Sequence, residues 1–200
     1  MHAATRHTRP QAGFTLVEVL VTLLLLSLGL LGLAGMQGRM NTVELESQQR
    51  SQALLLLQDM ASRMAANRGS TALDAYADGA ALDTPQGVGR DCESLTASST
   101  RVDRDLRAWC LALQGAAEQL SVGGNAVAQG GLIGGRGCVE ALGNSRYLVT
   151  VAWQGMTPLN APVSGLACGQ GEYDGSQEGS TCTDDRCRRV VSTIVRVGAL

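Results

Sequence analysis

The residues able to do chemistry in this chain are few and unevenly placed. Both histidines, His2 and His7, lie in the first ten residues, every basic side chain is arginine, and no lysine occurs. From Phe14 onward, histidine-assisted nucleophiles, histidine metal ligands and lysine Schiff bases are therefore unavailable. A catalytic reading would rest on carboxylates, tyrosine, cysteine or arginine, and no paired-acid signature is present, so no enzyme activity and no cofactor are expected. Two other features stand out. One is Glu18, a lone acid set in the apolar run FTLVEVLVTLLLLSLGLLGLAGM from Phe14 to Met36. The other is the set of six cysteines, Cys92, Cys110, Cys138, Cys168, Cys182 and Cys187, all in the second half.

The apolar run explains why Glu18 is notable. A helix over 14–36 would be about 34 Å long, enough to cross a hydrocarbon core of about 30 Å. A carboxylate within such a segment costs a few kcal/mol on insertion scales, so it is a functional residue by default and needs a partner. In front stands MHAATRHTRPQAG, which carries Arg6 and Arg9 without an acid. By the positive-inside rule that charge favours a cytoplasmic N-terminus, with the rest expected outside, although Arg39 and Arg50 beyond the span reduce the asymmetry. An exported domain favours disulfides, and the cysteines show neither CxxC spacing nor histidine co-ligands that would suggest a metal cluster. Six cysteines allow fifteen pairings, and the sequence leaves the choice open.

The order of residues at the start of the run carries more. A secretory signal has its small residues after the apolar core. Here the small residue, Gly13, precedes it, followed by Phe14, Thr15, Leu16, Val17 and Glu18. The string G-F-T-L-V-E-V-L-V resembles the class III signal of type IV prepilins and type II secretion pseudopilins. The resemblance implies cleavage after Gly13 by a prepilin peptidase and N-methylation of Phe14. It also gives Glu18 a partner: the new N-terminal amine of a neighbouring subunit. At about 4 Å such a pair is worth about 4 kcal/mol at an effective dielectric near 20, before desolvation is subtracted. Other minor and major pilins, the inner-membrane assembly platform and the membrane itself are the implied partners. The implied location is the inner membrane, then the pilus or cell surface.

The remaining chain must position these features. Gly29, Gly32, Gly35 and Gly38 recur every third residue late in the span, a spacing that permits close helix approach in lipid and lowers helix propensity. Beyond Met36 the pattern turns amphipathic: Ala53, Leu57, Met60, Ala61 and Met64 form a stripe, with Arg50, Asp59 and Arg63 on the polar side. No proline intervenes between Phe14 and Asn67, which predicts one rod about 80 Å long ending at Arg68-Gly69-Ser70. Residues 69–100 read as a loop with one helical turn. A second helix is expected over 103–120, with Trp109 on its core face, closed by the glycine-rich stretch 123–137. Strands are expected over 138–141, 146–154 and 187–197.

This gives four parts: leader 1–13, spanning and assembly helix 14–36, amphipathic continuation 37–68 and an outer domain 69–200. The expected class is α+β, a long helix packed on a small antiparallel sheet with disulfide-tied loops, as the pilin resemblance also implies. The helix bearing Trp109, the strand Y-x-V-x-V-x-W and the closing R-R-V-V-S-T-I-V further resemble PilV-type minor pilins. A low-abundance subunit that initiates or caps a pilus is the function implied; a minor pseudopilin or a pilus-borne adhesin are the alternatives. Between Gly155 and Arg186 lies an excursion with an acidic cluster, Glu172, Asp174, Glu178, Asp184 and Asp185, in which Asp174, Asp184 and Asp185 are weak calcium candidates without EF-hand order. A formal charge of -2 argues against direct nucleic-acid binding, with Arg186, Arg188 and Arg189 as one local exception.

Overall fold

A computed structural model describes residues 13–97, 100–116, 119–122, 125–128, 130–177 and 179–196. Leader residues 1–12, including His2, His7, Arg6 and Arg9, lie outside the described residues, as do Ala117, Glu118, Glu178 and Val197. The elements are α1 (Leu16–Ala66), α2 (Ser70–Gly79), β1 (Gln86–Gly87), a 3-10 turn (Glu93–Ala97), α3 (Arg101–Leu113), β2 (Gln119–Val122), β3 (Asn125–Ala128), β4 (Arg136–Gly143), β5 (Arg146–Gln154) and β6 (Arg188–Arg196). The chain divides into two compact units after Glu44. The first holds the apolar part of α1, whose large side chains, from Phe14 through Met40, are all exposed. A Cβ added at Gly29, Gly32, Gly35 or Gly38 would meet nothing within 4 Å, so packing within the chain does not require these glycines.

The second unit, from Leu45, contains the core. Ala53, Leu57, Met60 and Met64 of α1 are buried, one turn apart on one face, with Ala61 packed beside them. They join Leu106, Trp109 and Leu113 of α3 and Val139, Val149 and Val151 of the sheet in one cluster. The class is thus α+β and pilin-like, with the helix packed on a four-stranded antiparallel sheet of order β1-β4-β5-β6. Strand β5 pairs on both sides, Val149 facing Val139 in β4 and Thr193 in β6. Asn144 and Ser145, both at positive φ (52° and 53°), make the two-residue turn between β4 and β5, which suits the twist of a tight hairpin.

Trp109 sits where helix meets sheet. It is fully buried, and its indole N–H donates to the Leu56 carbonyl of α1 at 2.9 Å. A Cβ at Gly137 of β4 would fall 2.3 Å from its ring, so only glycine admits this approach of strand to tryptophan. Ligand stacking by Trp109 is excluded by its burial.

Several boundaries differ from expectation. Residues 69–100 contain a full helix, α2, because Leu73 and Tyr76 turn one face into the core. Helix α3 starts earlier than Asp103: Thr100 caps it by accepting the Asp103 N–H at 3.2 Å. It also ends earlier than Leu120, since Gly115 adopts φ 88° just past its C-terminus, and Leu120 lies in the hairpin β2–β3. The 138–141 strand extends over Arg136–Gly143.

The excursion between β5 and β6 covers the outer face of the sheet. Cys168 and Tyr173 from it are buried against Cys138 and Ala152. That coverage explains why β5 is buried almost continuously from Val149 to Trp153 instead of alternating. Three disulfides are present: Cys92–Cys110, Cys138–Cys168 and Cys182–Cys187. The second ties the excursion to β4, and the third closes the turn that leads into β6. These loops span 30 and 5 residues respectively. On the loop-entropy relation, replacing Cys138 and Cys168 together by alanine should cost about 3–4 kcal/mol, against about 2 kcal/mol for Cys182 and Cys187. Urea unfolding of the two double variants checks this; equal losses would show that loop length does not set the order.

Candidate functional site

The N-terminal site is built by the start of α1. Thr15 caps it: its hydroxyl oxygen accepts the Glu18 N–H at 3.3 Å, and its carbonyl accepts the N–H groups of Glu18 and Val19 at 3.1 and 3.2 Å. Helical geometry therefore begins only two residues beyond Phe14, and Gly13 lies in open chain ahead of it. A Cβ at Gly13 would meet nothing within 4 Å. Glu18 falls in the first turn, where a carboxylate is favoured by the unpaired N–H groups of the helix end. Its side chain is exposed and has no partner among the described residues. An unpartnered acid at the head of an apolar helix invites a cation from outside the chain. By length and composition, α1 is the one helix among the described residues able to cross a membrane.

The acidic loop is arranged for its own turns. Asp185 accepts the Gly171 N–H at 2.8 Å and pairs with Arg188 at 3.2 Å, while Asp174 accepts the Asp185 N–H at 2.9 Å. Asp184 and Asp185 both take left-handed φ, 55° and 59°, inside the Cys182–Cys187 loop. Among the described residues no three carboxylate, histidine or cysteine side chains are grouped to hold a metal. The basic run does not make a basic face either. Arg188 is buried, and Arg189 pairs with Glu46 of α1 at 3.2 Å and donates to the Thr157 carbonyl at 2.6 Å. Arg186 reaches the Leu159 carbonyl at 3.4 Å.

An ionic cluster that sequence reading missed joins three helices. Arg63 pairs with Asp59 at 2.9 Å and Asp105 at 3.0 Å, and Tyr76 donates its hydroxyl hydrogen to Asp105. Burial, then the bond to Asp105, pushes the Tyr76 hydroxyl up to about 12. Tyr147, donating to Asp74 at 2.6 Å, is raised to about 12 chiefly by that bond, and Tyr173 to about 12 by burial. All three stay protonated near neutrality and act as hydrogen-bond donors that fix the core.

Residues 8–34 match the prokaryotic N-terminal methylation motif, which covers the Gly13-Phe14 junction, Glu18 and most of the apolar run. No curated protein and no solved structure matches the chain.

Proposed function

We propose that the chain is a minor type IV pilin of the PilV type, cut between Gly13 and Phe14, methylated on Phe14, and placed in a filament through Glu18. The observation that carries this reading is the methylation motif over residues 8–34, set at the head of an exposed apolar helix whose first-turn acid has no partner among the described residues. The α+β outer unit, with its core on the later part of α1, is consistent with a filament subunit. Before assembly the chain crosses the inner membrane once, with residues 1–13 in the cytoplasm. Prepilin peptidase, the assembly platform and other pilins are its partners, and initiation or capping of the pilus is its role.

Glu18→Gln tests the assembly step. It keeps size and hydrogen bonding, removes the charge, and lowers the cost of holding the helix in lipid. Membrane level and cleavage should be unchanged, with mature chains beginning at methylated Phe14 by mass spectrometry. Abundance in sheared filaments should fall about tenfold or more, as expected when a charge pair worth more than about 1.4 kcal/mol is lost. Unchanged abundance in sheared filaments would mean that apolar packing alone places the subunit.

A further inference from the structure

The loops 82–90 and 167–172 face each other across an open groove of about 390 Å³. Arg90 and Arg136 line it, together with Asp83, Thr84, Gln170 and Glu172. The two arginines differ in availability. Arg136 is engaged: it pairs with Glu172 at 2.6 Å, and its guanidinium lies 5.2 Å from the centre of the Tyr173 ring. Arg90 is half-buried and its side chain has no hydrogen-bond or ion-pair partner among the described residues. A guanidinium held partly out of water without an acid is a site waiting for an anion, since its planar fork matches a carboxylate with two parallel bonds.

The walls are fixed before any ligand arrives. On one side, the Gln114 side-chain amide donates to the carbonyls of Gly87 and Arg90 at 2.9 and 2.8 Å, and the Val88 N–H bonds the Gly135 carbonyl at 2.9 Å. Two residues beyond Arg90, Cys92 is bonded to Cys110 of α3. On the other side, Cys168 is bonded to Cys138 of β4, and the Gly171 N–H is held by Asp185. Such preorganisation lowers the ordering cost that otherwise weakens binding to surface loops.

We propose that this groove is a binding site for a uronic-acid residue of an acidic polysaccharide, its carboxylate on Arg90 and its hydroxyls on Asp83, Thr84, Gln170 and Glu172. The lining decides between a sugar and a peptide. Asp83 and Glu172 only accept, Thr84 and Gln170 both accept and donate, and of the two arginines Arg90 is the cation left unpaired among the described residues; a uronate ring offers several hydroxyls and one carboxylate on a single ring, whereas a peptide's N–H donors are spread along its backbone away from the side-chain carboxylate. The site goes beyond the filament reading, and its test does not pass through assembly.

The test uses the full chain in detergent micelles and isothermal titration with a short galacturonate oligomer. The expected result is saturable binding that weakens with salt, is lost when the oligomer is methyl-esterified, and exceeds binding of a peptide of aspartate and glutamate of the same charge. Arg90→Gln should weaken binding about tenfold or more, the loss of a charge-assisted bond to carboxylate, with a melting temperature little changed because no hydrogen bond or ion pair among the described residues is lost and glutamine keeps most of the stem. Arg90→Lys should recover part of the affinity. The proposal is overturned by no saturable binding to the native chain, by equal binding of the esterified oligomer, by tighter binding of the peptide, or by an Arg90→Gln variant that binds as well as the native chain.

Discussion

Gly13→Leu should leave the chain as an uncut precursor that reaches the membrane and is absent from filaments. The folded chain gives no reason for this position to be glycine. Gly13 precedes the helix, lies exposed, and a Cβ there meets nothing within 4 Å. Any effect of a larger side chain must therefore arise in another molecule that reads this junction. A peptidase that grips the backbone beside the scissile bond has that requirement, because a branched side chain at Gly13 would stand between the peptide and the catalytic groups. Gly13→Ala, which adds one methyl group, should be cut more slowly and still yield mature chains beginning at Phe14. Intact mass of the membrane-extracted chain distinguishes the forms, since the precursor retains residues 1–13. Normal maturation of Gly13→Leu would place recognition elsewhere and would remove the physical basis for reading Gly13-Phe14 as the cut.

The second large effect lies in the outer unit. Arg188→Ala should destabilise it by about 3–5 kcal/mol, the range for removing one partner of a buried ion pair. Arg188 and Asp185 are 2% and 8% exposed, with Nη2 to Oδ2 at 3.2 Å. The same guanidinium donates to the carbonyl oxygens of Leu166 and Cys168, the latter at 3.1 Å. One side chain thus links the start of β6 to the middle of the excursion, at Leu166 and Cys168, and to its last residues, at Asp185. Its loss strands the Asp185 charge and leaves two carbonyls without their donor. The double change Arg188→Met with Asp185→Asn removes both charges and should be less destabilising than the two single changes added together. Urea unfolding with the disulfides intact measures all of these. Additive losses would show that the pair is not coupled and that the bonds to the two carbonyls and the packing of the arginine account for its cost.

The features that the methylation motif covers are contiguous, which is why they are legible without a structure. Gly13, Phe14 and Glu18 stand together at one end of an unbroken apolar run, and the meaning of each depends on neighbours within a few residues. Strand β5 was legible to its ends for a similar reason: R-Y-L-V-T-V-A-W-Q is dense in β-branched and aromatic residues and is bounded by Asn144-Ser145 and Gly155. The core stripe of α1 followed from helical spacing in the same way. Helix α2 was missed although Leu73 and Tyr76 show that spacing, because its Ala, Asp and Gly content is also that of a loop and only a core to bury against decides between them.

The pairing of six cysteines, the burial of Arg188 between sheet and excursion, and the meeting of Arg90 with Glu172 in one groove are set by contacts between residues far apart in sequence. Arg186, Arg188 and Arg189 show the division plainly. They are one basic run in the sequence, and the fold turns Arg188 into the core against Asp185, Arg189 onto Glu46 of α1, and Arg186 toward Leu159. Residue type and spacing fix what a short segment can do on its own helix or strand. Which groups lose water and find a partner is fixed only when distant segments close over them, because the cost of burying a charge depends on what else is buried beside it.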